Sequence, residues 1–198
     1  MKFEKRLFDI LVSAIGLLVL WPAFLVIAAL IKLEDGGPVF YRQERIGYKG
    51  RRFKMWKFRT MVVNAEKLGK SLTIGKDPRI TRVGYWLRKY KLDELPQLLN
   101  VLSGEMSLVG PRPEVPQYVA LYTPDQRRVL DLVPGITDPA SIRFANEAEL
   151  LAEATDPEKF YIDHVMPEKI RLNMEYAKRA NLLSDVLVIL QTLARIMR

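Results

Sequence analysis

The sequence predicts an α+β, predominantly helical protein in which an N-terminal re-entrant membrane helix-break-helix packs with amphipathic interfacial helices and a small β-hairpin. Three observations carry this. One apolar run fills residues 7–31 without a charge beyond Asp9; two β-prone runs flank a Gly47-Tyr48-Lys49-Gly50 turn; and the later segments repeat apolar residues at helical spacing with Lys and Arg between them. The expected division is a membrane hairpin over residues 1–35 and one integrated unit over residues 36–198.

The first segment is long enough for a membrane. Residues 10–31 as helix would measure about 33 Å at ~1.5 Å per residue, roughly a bilayer's hydrocarbon thickness. A cleaved signal peptide does not fit, because the run is too long and contains Asp9 and Trp21-Pro22. Lys2, Lys5 and Arg6 precede it, and Lys32, Arg42, Arg45, Lys49, Arg51, Arg52 and Lys54 follow it. Positive charge marks the cytoplasmic side, so a hairpin leaving by the face it entered suits both flanks. Pro22, in the middle, lacks the N–H a straight helix needs. Proline also occurs in spanning helices, and from these residues alone both topologies stay open. Arg6 and Asp9 share a helical face and are expected to pair.

Gly36-Gly37-Pro38 ends the first helix. Residues 39–46 and 52–61 form the hairpin. Residues 64–79 read as a mobile connection with a short helix, residues 83–90 as an amphipathic helix, and residues 93–102 as another, closed by Gly104. Residues 108–116 are a Pro-rich loop, 117–132 a helix interrupted at Thr123-Pro124, 134–145 irregular, and 147–158 acidic and helical at first. Residues 168–198 supply one or two closing helices. There, Leu182, Val186, Ile189, Leu190, Leu193 and Ile196 form an apolar stripe that suits either core packing or the headgroup plane.

Composition narrows the chemistry. Among 198 residues, Lys+Arg number 31 against 23 Asp+Glu, a formal net charge of +8 that favours an anionic partner. There is no cysteine and one histidine, His164. That excludes disulfides, thiolate zinc or iron–sulfur sites, and thiol nucleophiles, and it leaves little room for a Ser-His-Asp triad. His164 has no clustered partner and reads as structural. Catalysis would rest on carboxylates, Lys/Arg, hydroxyls and a hard cation held by oxygen.

The densest signal is Lys91-Leu92-Asp93-Glu94-Leu95-Pro96. Asp favours the N-cap and Pro the first turn, so Asp93 and Glu94 are expected at a helix start, where anions are stabilised. An isolated Asp-Glu of this kind is ordinarily just a helix cap, but here Arg79, Arg82, Arg88, Lys89 and Lys91 crowd the approach. Two carboxylates among cations suit phosphoryl transfer, one as nucleophile and the other on Mg²⁺. Strand alternation puts Lys57 and Arg59 on one face with Phe58 opposite; a solvated basic face is the plain alternative. Gly110-Pro111-Arg112-Pro113-Glu114 is a stiff turn presenting one guanidinium, suited to phosphate or, more simply, to Glu114.

Together these residues resemble the monotopic phosphoglycosyl transferases of the bacterial sugar transferase family. The likeness runs from about Lys5 to Thr137. It rests on the apolar segment with a central Pro, on KFRTM, on RITRVGYWLRKYKLDELPQLLNVLSGEMSLVGPRPE and on PGIT, with an echo near Asp185. It implies transfer of a phospho-sugar from a UDP-sugar to polyprenol phosphate with release of UMP, through a covalent phospho-sugar enzyme. The implied nucleophile is Asp93, with Glu94 assisting the metal, both at the Mg²⁺ site, and Lys57, Arg59, Arg88 and Arg112 toward the diphosphate and nucleotide. It also implies a segment re-entrant at Trp21-Pro22, a catalytic unit on the cytoplasmic face of the bacterial inner membrane, and a minimal form without extra spanning helices. A homodimer stays open, and nucleic acid is not an expected partner.

The chain departs from the family pattern at several points. Trp21 stands where Ser usually precedes the Pro. After PGIT the family's Arg falls on Ala145, with Arg143 nearby as a candidate replacement, and a later family carboxylate falls on Asn173. An extra segment occupies residues 147–169. The competing reading is a membrane-tethered basic module that binds nucleic acid or anionic lipid without catalysis, and a scaffold of a glycan-assembly complex is a third.

Overall fold

The computed structural model of the protein describes residues 1–65, 68 and 77–196, so most of the expected connection over residues 64–79 lies outside it. Helix α1 (Phe3–Asp35) is 33 residues long and ends at Gly36, which takes φ 71° and returns its N–H to Lys32. Pro22 lies inside it, with helix on both sides. Its buried residues are Asp9, Ser13, Ile27 and Ile31, while large apolar side chains from Leu7 to Leu33 stand exposed.

Both ends of α1 are fastened to the rest of the chain. Near the N-terminus Lys5 Nζ donates to Asp185 Oδ2 (2.6 Å) and to the Val109 carbonyl (3.0 Å), and the Leu108 N–H donates to Asp9 Oδ1 (3.2 Å). The expected Arg6–Asp9 pair is not what holds Arg6. Its guanidinium takes the Val101 and Leu102 carbonyls (2.6 and 2.9 Å), which a helix end leaves unbonded. At the other end Glu34 Oε1 accepts the Arg82 N–H (2.7 Å), and Ile27 and Ile31 pack with Phe58 and Leu87. Arg59, 7% exposed, grips both oxygens of Asp35 (2.6 and 2.5 Å) and the carbonyls of Pro38 and Met61.

Strands β1 (Phe40–Ile46) and β2 (Arg52–Phe58) form the expected antiparallel hairpin, with Phe40 opposite Phe58 and Ile46 opposite Arg52. Helix α2 (Arg82–Lys89) starts at Thr81, whose hydroxyl accepts the Gly84 N–H. Gly84 lets α2 touch the chain leaving β2: a Cβ there would lie 2.1 Å from the Thr60 carbonyl oxygen.

The next element differs from the expectation. A 3-10 turn over Leu92–Gln97 precedes α3 (Leu98–Ser103), and the N-cap position is Lys91, at φ 54°, not Asp93. Pro96 inside the turn has no N–H for an α-helical bond and would clash with the carbonyl four residues back, so the chain winds tighter. Asp93 is thereby buried inside the turn instead of capping it.

Two short parallel strands, β3 (Ser107–Val109) and β4 (Gly135–Thr137), lie where only a loop and irregular chain were expected. Three residues are too few for alternation to register. Gly110 and Gly135 meet backbone to backbone; a Cβ on Gly135 would stand 2.1 Å from the Gly110 nitrogen. The expected helix over residues 117–132 is instead α4 (Pro116–Val119) and a 3-10 turn (Gln126–Asp131) on either side of Thr123-Pro124. Then follow α5 (Pro139–Arg143), capped by Asp138, α6 (Glu147–Ala152), α7 (Pro157–Phe160) and a π-helical turn (Tyr161–Val165), which continues into α8 (Met166–Arg179) and α9 (Leu182–Ile196).

Met55, Val101, Met106 and Val109 form one core cluster with Val188 of α9; Tyr118, Leu151, Tyr161 and Val165 belong to another. Helix α9 buries Val188, outside the expected stripe, while the stripe residues Leu182, Leu190 and Leu193 are exposed and Val186, Ile189 and Ile196 are half-buried. Leu183 and Leu187 are at least half exposed.

The Arg59–Asp35 clasp ties the end of α1 to the end of β2. Charged hydrogen bonds are worth roughly 1.5–3 kcal/mol each when a partner is lost. Arg59→Ala should therefore lower Tm by roughly 5–10 °C for a domain of this size, measured in detergent. Arg171→Ala, which breaks only surface pairs with Glu168 and Glu175, should leave Tm unchanged.

Candidate active site

The site is assembled from three segments that are distant in sequence. Asn100 of α3 positions the 3-10 turn against the hairpin: its Oδ1 accepts the Trp56 N–H (2.9 Å) and its Nδ2 donates to the Lys54 carbonyl (3.0 Å). Lys57, at the end of β2, then reaches Glu94 Oε1 at 3.1 Å. The Gly110–Gly135 contact brings in the loop after β3, and Arg112 forks onto Glu94, with Nη1 on Oε2 at 2.9 Å and Nη2 on Oε1. Sequence allowed Arg112 to pair with Glu114; the fold gives it Glu94.

Electrostatics divide the two carboxylates. Burial alone would raise Glu94, but the Arg112 guanidinium and the Lys57 ammonium hold it well below the usual carboxylate range. Asp93 is pushed up, chiefly by burial and against the pull of Lys57. Its Oδ1 is buried with no hydrogen-bond partner among the described residues. Burial lowers Lys57, an effect that Glu94 opposes. Arg112 is raised by Glu94 beside it. Arg88 donates from Nε to the Thr60 hydroxyl (2.9 Å), and its charge is felt at Asp93.

All of these groups line one open cavity of about 1390 Å³. The structure brings Lys57, Arg88, Arg112, Asp93 and Glu94 together there. Arg59 also borders the cavity, but its guanidinium is engaged by the clasp to Asp35. Arg143 is exposed on α5 and is not among the cavity's lining residues. Asn173 lines the cavity and is 6% exposed. Trp21 and Pro22 are exposed on α1, away from it.

One group at the cavity was not singled out from sequence. Tyr161, on the π-helical turn, donates to Glu114 Oε2, while Glu114 Oε1 accepts from Arg45 Nη1 (3.3 Å), which also takes the Pro113 carbonyl (3.2 Å). The chain on the far side of Arg112 is therefore pinned to the extra segment. Nothing in local spacing signals a contact between residues this far apart.

The family model for bacterial sugar transferase matches residues 1–198. The chain belongs to the bacterial sugar transferase family. Among similar proteins is the exopolysaccharide production protein ExoY of Sinorhizobium fredii, 35% identical over 205 residues, covering 96% of this chain and 84% of that protein. The UDP-N-acetylgalactosamine-undecaprenyl-phosphate N-acetylgalactosaminephosphotransferase of Aeromonas hydrophila is 37% identical over 195 residues, 98% of this chain and 44% of that protein. The UDP-glucose:undecaprenyl-phosphate glucose-1-phosphate transferase of Xanthomonas campestris pv. campestris is 37% identical over 199 residues, 98% of this chain and 38% of its own length. The chain is thus an enzyme of the sugar phosphotransferase class, and the residues gathered in the cavity are candidates for its chemistry.

The Lys57–Glu94–Arg112 triad is open to a double-mutant test. Glu94→Gln leaves two half-buried cations facing each other and should destabilise this transferase by about 1–3 kcal/mol. Adding Lys57→Met should return part of that loss, a coupling measurable by thermal or denaturant unfolding in detergent.

Proposed function

We propose that this transferase moves a phospho-sugar from a UDP-sugar to polyprenol phosphate and releases UMP, working at the cytoplasmic face of the bacterial inner membrane. The observation that carries the reading is the asymmetry of the dyad. Glu94 has both oxygens engaged by cations, whereas Asp93 keeps a buried, unpartnered oxygen within a cationic cavity. A carboxylate held among positive charges without a hydrogen-bond partner is a poised nucleophile.

In the first step an Asp93 oxygen attacks the phosphorus that bears the sugar. The bond from that phosphorus to the bridging oxygen breaks, and UMP leaves with the oxygen. In the second step a phosphate oxygen of polyprenol phosphate attacks the same phosphorus, and the Asp93 carboxylate is released. Lys57, Arg88 and Arg112 neutralise the charge that accumulates on the diphosphate. Arg112 adds planar, two-point contact, with Glu94 fixing its orientation.

The dyad also fits one Mg²⁺, which takes one or two carboxylates plus substrate phosphates. Asp93 offers an oxygen that no group among the described residues uses, beside Glu94. Glu94 with Asp93 would hold the ion, which when bound supplies further charge neutralisation at the phosphates.

Seating in the membrane follows from α1. A helix that crossed the bilayer would separate Lys5 and Asp9 from Glu34 and Asp35 by the full hydrocarbon thickness. Here both ends bond to one folded body, near β3 and α9 at the start and near α2 and β2 at the finish. Between them Leu11, Ile15, Leu18, Val19, Leu25 and Val26 are exposed. This supports a segment that enters and leaves by one face, turning at Trp21-Pro22, with basic flanks toward the cytoplasm.

Asp93→Asn should remain folded and membrane-bound while losing all detectable UMP release in the presence of Mg²⁺ and polyprenol phosphate. Wild type incubated with donor alone should show a phospho-sugar mass on the Asp93 peptide. Turnover by Asp93→Asn, or donor consumption only when acceptor is present with no adduct, would reject the nucleophile. Single-cysteine labels at Met1 and in the segment beyond β2 should react from the same side of inverted vesicles; opposite sides would reject the hairpin.

A further inference from the structure

Helix α8 turns Met166, Lys169, Ile170 and Asn173 toward the cavity, at the i, i+3, i+4, i+7 spacing of one helical face. Two of these side chains are polar, and they differ in their partners. Lys169 pairs with Glu147 and lies over the Phe144 and Tyr161 rings. Asn173 has no such company. It is 6% exposed, its Oδ1 is buried without a partner, and no hydrogen bond to its amide is made among the described residues. An amide left unpaired in a buried site is ordinarily matched by a ligand or a water.

The cavity already has a full complement of groups for phosphates in Lys57, Arg88 and Arg112, all cationic. What they cannot address is the uncharged remainder of a nucleotide sugar, whose hydroxyls and N–H groups need neutral acceptors and donors. Asn173 is such a group. Its amide offers one acceptor and two donors, and the rigid helix behind it, held by Ile170 and Met166 in the core, fixes where it points.

We propose that Asn173 is a specificity-determining residue that hydrogen-bonds an O–H or N–H of the uncharged part of the donor, the sugar or the nucleoside. The inference rests on the donor being a UDP-sugar, as proposed above. It adds a residue that makes neutral contacts at a wall remote in sequence from the Asp93 dyad.

The test is equilibrium binding to the full chain in detergent, with wild type and Asn173→Ala each titrated with UDP-glucose, UDP-galactose, UDP-N-acetylgalactosamine and UMP. The loss of one buried hydrogen bond should weaken the preferred UDP-sugar by about tenfold, on the order of 1.4 kcal/mol. Unchanged affinity for UMP would assign the contact to the sugar, and a parallel loss for UMP would assign it to the nucleoside. Because the amide has no partner among the described residues, Asn173→Ala should not lower the Tm of the ligand-free protein. Equal affinities for wild type and Asn173→Ala would overturn the proposal, and so would a weakened variant whose ligand-free Tm has fallen, since that marks a structural role. If wild type binds none of the UDP-sugars, the reading of the donor itself fails and this one fails with it; binding by wild type with no effect of the substitution rejects Asn173 alone.

Discussion

Glu94 held between Lys57 and Arg112 is the contact on which the site depends. It joins the end of β2, the 3-10 turn and the loop after β3, which no backbone ladder links directly. As a device for stability it is a poor choice, since burying ions costs several kcal/mol each and apolar residues of similar size often do as well. Its value is in geometry and charge. The forked Arg112 cannot rotate away, and Lys57, Arg88 and Arg112 outnumber the two carboxylates. Even with Asp93 and Glu94 ionised, the cluster keeps a positive balance for an anionic ligand.

The same reasoning links the membrane segment to the chemistry. Lys5 and Asp9 of α1 bond to Val109 and Leu108, on the strand that leads directly into the Arg112 loop. At the other end Asp35 holds Arg59, two residues beyond Lys57. The apolar helix is therefore bonded at its two ends to the segments that carry both cationic walls. Tyr85, Trp86 and Tyr90 on and beside α2, and Leu183, Leu187 and Leu190 on α9, are also exposed. Aromatic residues of that kind favour the headgroup level.

What the sequence disclosed follows the range of its signals. The apolar run, the Gly-rich turn of the hairpin and the amphipathic helix expected over residues 83–90 are local patterns of adequate length, and the structure has each of them, the last as Arg82–Lys89. The pairing of β3 with β4 was invisible because each strand is three residues long and its partner lies more than twenty residues away. Asp93 and Glu94 stood out by context, but their roles could not be told apart, because the difference lies in long-range contacts: Arg112 and Lys57 reach Glu94 and leave Asp93. Arg59 shows the opposite failure. Strand alternation gave it the face of Lys57, yet Asp35 and two carbonyls draw it into the clasp. The segment around residues 147–169 carried no legible function until Tyr161 was found on Glu114.

Unpaired polar atoms that border the cavity bear on what it could bind. Most buried polar side chains are satisfied here, and an unsatisfied one costs about 1–3 kcal/mol. Among the described residues, Arg45 Nε, Asp93 Oδ1 and Asn173 Oδ1 are exceptions on residues that border the cavity, whereas Asp9 Oδ2, Ser13 Oγ and both amide atoms of Gln97 are exceptions on residues that do not. A ligand that supplies the partners missing at the cavity would repay that part of the deficit on binding. The positions of the deficit also outline that ligand. Asp93 sits among cations that suit phosphate, while Asn173 stands on a wall where Lys169 is already neutralised by Glu147. An occupant charged at one place and uncharged at another matches both.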